Sequence, residues 1–123
     1  MMPSPSVISL REKLAGFSDH WNPRIIAAYN GNEVRIAKVL GDFTWHAHSD
    51  TDEMFVVLSG ELGIEFRDGV RRLKAGEMIV VPRGTEHRPF AESECEIMML
   101  DREGEPNTGA NPSHRTRAKL EVL

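Results

Sequence analysis

A single cysteine, Cys95, stands among the 123 residues. No internal disulfide can form, so packing and hydrogen bonds must hold the fold, and the disulfide-stapled secreted classes drop out. Positive charge is also short: 15 Lys and Arg face 19 Asp and Glu, for a net charge of -4. That sign repels phosphate backbones and argues against a nucleic-acid partner. Long apolar runs are missing too. Stretches such as Met54 to Leu58 fall far short of the ~20 residues a helix needs to cross a bilayer. The opening Met-Met-Pro-Ser-Pro-Ser has neither the basic start nor the apolar centre of a secretory leader. These absences set the expectation of a cytoplasmic protein without membrane or nucleic-acid partners. Neither a long-period repeat nor an interdomain linker is visible.

What is present suits one compact unit, since 40% hydrophobic residues in a chain of this length can build a core. Ser9-Leu10-Arg11-Glu12 has capping-box spacing and predicts a short helix near 9–16. Gly16 and Asn22-Pro23 then interrupt helical patterning, and the rest reads as strands. Asn30-Gly31-Asn32 separates Ile25–Tyr29 from Val34–Leu40, which predicts a tight hairpin. Met54–Leu58 and Glu61–Phe66 flank Ser59-Gly60. Asp68-Gly69 predicts a further hairpin into Val70–Leu73, and Met78–Val81 ends at Pro82. Strands at His87–Ala91 and Glu96–Asp101 are expected on either side of an acidic turn, Glu92-Ser93-Glu94. The organisation is thus an N-terminal extension over 1–22, an all-β body over 23–101, and a tail over 102–123. The tail is irregular until a last strand or docking segment at 118–123.

Chemistry concentrates in four residues. His46 and His48 are two apart and project to one side if the chain there is extended. Glu53 opens the next strand in register with Phe55 and Val57, so its carboxylate faces an apolar row and needs a cationic partner. His87 follows the turn Pro82-Arg83-Gly84-Thr85-Glu86 and can arrive from a separate strand. A divalent cation satisfies a buried carboxylate and neutral imidazoles at once. Three nitrogens and one oxygen leave two positions of an octahedral shell for water or substrate, unlike a closed structural zinc site.

These residues resemble the cupin superfamily. Its first motif stands here as Gly41-x4-His46-x-His48-x4-Glu53-x6-Gly60 and its second as Gly76-x5-Pro82-x-Gly84-x2-His87. The chain is similar to small single-domain cupins described as mannose 6-phosphate isomerase-like. It departs from the pattern at Ala91, where the second motif often carries Asn. The resemblance implies a jelly-roll β-barrel in which His46, His48, Glu53 and His87 ligate one divalent metal. Iron, manganese, nickel, cobalt and zinc all suit that donor set. It also implies a homodimer.

Two functions follow as expectations. The first is a metal-dependent enzyme, an isomerase, lyase or dioxygenase, acting on a small sugar- or carboxylate-type metabolite. The second is a non-catalytic module in which the metal anchors a small-molecule ligand. No general base is assigned, because Glu86 and Arg88 alternate away from His87 and no other inward acid stands out. Phe55 and Met78 are the pocket candidates, with Phe55, Val57, Leu62, Ile64, Phe66, Met78 and Val80 expected in the core. Trp45 is expected on the opposite face from His46. Cys95 reads as an inert thiol, His20 and His114 as solvent-facing, and Arg71, Arg72 and Lys74 as a solvated strand flank.

Overall fold

The computed structural model describes residues 5–123. One short helix, α1 (Leu10–Leu14), precedes eight strands: β1 (Arg24–Tyr29), β2 (Asn32–Asp42), β3 (Glu53–Ser59), β4 (Glu61–Phe66), β5 (Gly69–Lys74), β6 (Met78–Val81), β7 (His87–Arg102) and β8 (Glu121–Val122). Ser9 caps α1 by accepting a hydrogen bond from the Glu12 amide at 3.2 Å. The helix is shorter than its signal suggested, and it docks Leu14 against Ile26 and Ile36. Asn30 and Gly31 both take left-handed backbone angles, φ 49° and 76°. Those angles give the two-residue hairpin that pairs Tyr29 with Asn32.

The largest departure from expectation is β7. The acidic Glu92-Ser93-Glu94 is not a turn between two strands but the crest of one 16-residue strand. Against β2 the register passes from Val39↔Cys95 to Gly41↔Ala91, so four steps on β7 oppose two on β2. This bulge arches the charged residues into solvent and keeps Ala91 and Cys95 on the buried side. The bend lets one strand serve two neighbours: its first half pairs with β4 and its second half with β3. The sheet folds over itself as a jelly roll. Its ladder is not a closed ring, however, since it runs β5-β4-β7-β2-β1-β8 with β3 and β6 branching from β7.

The inner face carries the core, including Val39, Phe55, Val57, Leu62, Ile64, Leu73 and Ile97. On the opposite face Gly63 lies under the Phe90 ring, 2.2 Å from where a Cβ would fall, so a larger residue there must displace that ring. Met78 and Val80 are corrections. Pairing of Phe55 with Ile79 and of Glu53 with Val81 turns Ile79 and Val81 inward. Met78 and Val80 are left outside, 53% and 48% exposed. The uninterrupted run Met-Ile-Val-Val contains no polar residue to mark which face is wet. The C-terminal segment is turns until β8, which pairs in parallel with Arg24 and Ile25.

Candidate metal centre

Backbone bonds bring the two motifs together. His46 and His87 form a bridge: the His46 amide donates to the His87 carbonyl at 3.0 Å and the His87 amide to the His46 carbonyl at 2.9 Å. The Gly84 amide donates to the His48 carbonyl at 2.7 Å, tying the turn before His87 to the loop after β2. Glu53 stands at the first position of β3, facing inward with Phe55. One ligand atom from each of His46, His48, Glu53 and His87 then lies within 4.8 Å of the other three. All four side chains are buried, at 0–4% exposure.

The atoms at the meeting point are orphans. Nε2 of His48, Nε2 of His87 and Oε1 of Glu53 are buried without a hydrogen-bond partner. The carboxylate oxygen lies 3.3 Å from the first nitrogen and 3.5 Å from the second. Burying such groups unpaired is costly, and a divalent ion at that point would satisfy them together. The opposite ring nitrogens are fully engaged. Nδ1 of His46 is 2.9 Å from the Thr44 carbonyl, and Nδ1 of His87 is 2.9 Å from the Thr85 carbonyl. A carbonyl only accepts, so each Nδ1 carries the proton and each Nε2 presents its lone pair inward. Nδ1 of His48 meets the Glu105 carboxylate at 2.9 Å.

The shifts of His46 and Glu53 favour the forms that bind a cation, while that of His48 favours the imidazolium. Burial, then repulsion from His87, lowers His46 to about 4, so it is neutral near pH 7. Burial opposes charging of His48 as well, but hydrogen bonds and charge from Glu53 and Glu105 outweigh it and raise this group. Burial works against the Glu53 carboxylate, yet Asp101, His48 and His87 hold it well below the usual range. Burial, followed by the Glu53 charge, drives Asp101 well above its ordinary value, and Arg35 only partly offsets this.

Phe55 lines a cavity of about 30 Å³ that opens onto His46 and Glu53, together with Trp21, Phe43, Ile97, Met99 and Asp101. Met78 is not in that wall. Its exposed position on β6 corrects its assignment to the pocket. His20 pairs with Glu94 at 2.7 Å, and His114 is exposed, both apart from the centre. Cys95 lies in the core, and burial pushes its thiol up to about 11, which leaves it inert near neutrality. Trp45 packs under the Arg67 guanidinium, 3.8 Å from its ring. Arg71, Arg72 and Lys74 are exposed on β5.

Sequence reading missed Arg35, Asp101 and Glu105. Asp101 had a signal: it continues the inward register of Cys95, Ile97 and Met99, an acid where an apolar residue is due. Arg35 is 2% exposed and bonds Glu33 at 2.6 Å, the Glu105 carbonyl at 2.9 Å and Asp101 at 3.4 Å. Glu105 sits in an irregular stretch with no pattern to expose it.

A jelly roll that gathers three imidazoles and a carboxylate in its interior defines a small β protein with a buried group that could hold a metal ion. The chain belongs to the cupin family, whose Cupin domain matches residues 33–101. Over 80 residues it is 42% identical to the uncharacterized protein YdbB of Bacillus subtilis (strain 168). That match covers 64% of this chain and 65% of the length of YdbB. A crystal structure of a cupin-2 domain containing protein from Shewanella frigidimarina is similar at 47% identity and a TM-score of 0.78, covering 79% of this chain and 95% of that one. Protein NMB1881 from Neisseria meningitidis is 32% identical with a TM-score of 0.73, covering 80% and 100% respectively.

Proposed function

We propose that this cupin is a metal-dependent enzyme that binds one divalent ion on His46, His48, Glu53 and His87 and acts on a small metabolite. The observation that carries this reading is the set of buried, unpartnered ligand atoms converging on one point while every opposite Nδ1 is engaged. Such an ion supplies Lewis acidity, polarising a substrate carbonyl or carboxylate and stabilising developing negative charge. The chain's own residues provide a water-poor wall of Phe43, Phe55, Ile97 and Met99 beside it. The arrangement is open to isomerase, lyase and dioxygenase chemistry alike. A phosphorylated sugar fits less well. Arg35 is the one cation in the cavity wall, and it is committed to Glu33, Asp101 and the Glu105 carbonyl. Small uncharged or carboxylate substrates are therefore favoured over a mannose 6-phosphate-like one.

A second reading, a non-catalytic binding module, is favoured by one feature. Glu105 is engaged with His48, and burial beside the Glu53 charge drives the Asp101 carboxyl well above its ordinary value, so neither offers a freely ionised general base. We also infer a homodimer, supported by the outward Met78 and Val80 on β6, a strand paired only to β3. Cytoplasmic residence fits the lone free cysteine, and among the described residues no helix is long and apolar enough to cross a membrane.

The test combines metal analysis with turnover. Protein loaded with iron, manganese or zinc is incubated in metabolite extract with and without oxygen, and consumed compounds are identified by mass spectrometry. One bound ion per chain, lost in His46→Ala, together with consumption of a compound is the expected result. His46→Ala that retains both ion and turnover refutes the assigned centre, and bound ion without any consumption favours the binding module.

A further inference from the structure

We infer that Glu105, beyond the 33–101 Cupin match, is a positioning residue of the metal centre that holds His48 through its Nδ1. The inference rests on the metal-binding reading above and adds to it a residue and a chain segment.

The three imidazoles are not steadied in the same way. His46 and His87 each donate to a main-chain carbonyl two residues earlier, at 2.9 Å. Their aim is set by the local chain. His48 instead meets a side-chain carboxylate 57 positions away, the two side chains being 3% and 10% exposed. That carboxylate is itself fixed. Its other oxygen accepts from Arg102 at 3.3 Å, and the Glu105 carbonyl accepts from Arg35 at 2.9 Å. Arg35 continues to Asp101, whose carboxyl faces Glu53. An outer ring of polar contacts thus connects two of the four ligand residues, His48 and Glu53.

The residues after Glu105 strap the same loop from outside. The Ala110 amide donates to the Ala47 carbonyl at 3.0 Å, and the Ala47 amide donates to Oδ1 of Asn111 at 3.0 Å. Gly109 presses so closely that a Cβ there would lie 2.1 Å from the Ala47 carbonyl oxygen and 3.1 Å from Nδ1 of His48. A carboxylate acceptor at Nδ1 fixes the ring's orientation and makes Nε2 a stronger donor to a cation, and loss of such a partner typically weakens metal binding about 10–100-fold.

The experiment compares full-length parent, Glu105→Ala and Glu105→Gln. Zn²⁺ dissociation constants are measured by chelator competition, the Co²⁺-loaded forms by visible absorption, and the metal-free forms by thermal melting. The expected result is a Zn²⁺ dissociation constant raised about 10–100-fold in Glu105→Ala. Glu105→Gln, which keeps an acceptor but loses the charge, falls in between. The Co²⁺ bands shift in the alanine variant and move back toward the parent in the glutamine variant; a purely structural role would move the melting temperature alone. A folded Glu105→Ala with affinity within about twofold of the parent and unchanged Co²⁺ bands overturns the inference. If Glu105→Ala does not fold, Glu105→Gln decides by the same criterion. Parent protein that takes up neither Zn²⁺ nor Co²⁺ defeats the metal-binding reading itself, and is distinguished by the lack of any parent constant to compare.

Discussion

Two parts of the centre are built on different terms. The His46–His87 pair is joined by two main-chain hydrogen bonds and aimed by the Thr44 and Thr85 carbonyls. His48 is aimed by Glu105 and roofed by Gly109, Ala110 and Asn111, which arrive from the far end of the chain. Main-chain anchors survive side-chain substitution, because every residue supplies a carbonyl. Side-chain anchors do not. The candidate metal centre should therefore be robust on one flank and vulnerable on the other, even though its four candidate ligands are all buried.

Gly109→Ala should break the vulnerable flank. The added methyl overlaps the Ala47 carbonyl and must displace the loop carrying His48. Gly109 also sits at φ 57°, where an L side chain adds strain. Zn²⁺ affinity should fall at least about tenfold, and stability should drop by roughly 1–3 kcal/mol. Thr44→Ala and Thr85→Ala, made on the robust flank, should leave Zn²⁺ affinity within about twofold. Equal losses in all three variants would erase the distinction.

Acid sharpens the comparison in the metal-free protein. His46 titrates near 4 in the folded state against an ordinary 6.5, so between those values the unfolded chain binds the proton and the folded one does not. The contribution of His46 is present above pH 6.5 and is lost as pH falls toward 4, amounting to roughly 3 kcal/mol at most. His48, raised by Glu53 and Glu105, acts in the opposite sense: its contribution is present below its unfolded value and is lost as pH rises. Urea unfolding at pH 7 and pH 4.5 should show a smaller acid loss in His46→Gln than in the parent. An equal or larger loss in the variant contradicts the assignment. The smallest effect is expected on the outer face. Met78→Ser, at a 53% exposed position, should cost less than about 0.5 kcal/mol. Light scattering on the same variant reads whether that face is shared with a second copy.

The candidate ligands were legible because their constraints are short-ranged. The histidines two apart, the glutamate opening an apolar alternation and the glycine-proline turn before His87 are all patterns within a few residues. The hairpin at Asn30-Gly31 was legible for the same reason, since both positions need left-handed angles that these residues tolerate. The orientation of β6 was not, because four apolar residues in a row look alike from either face. The continuous β7 was not either: whether Glu92-Ser93-Glu94 turns or bulges depends on what lies beside it, and β2 continues past it.

By itself, the sequence determined which four side chains could meet a cation and that Glu53 and His87 would open strands, because alternation and turn chemistry are properties of neighbouring residues; His46 and His48 fell in the loop after β2, beyond the strand run expected to carry them. The tertiary structure alone decided that Asp101, Arg35 and Glu105 enclose those four, and that the segment after Gly104 closes over His48. Contacts between residues far apart in the chain have no period to read; they exist only once the sheet has folded and brought their backbones together.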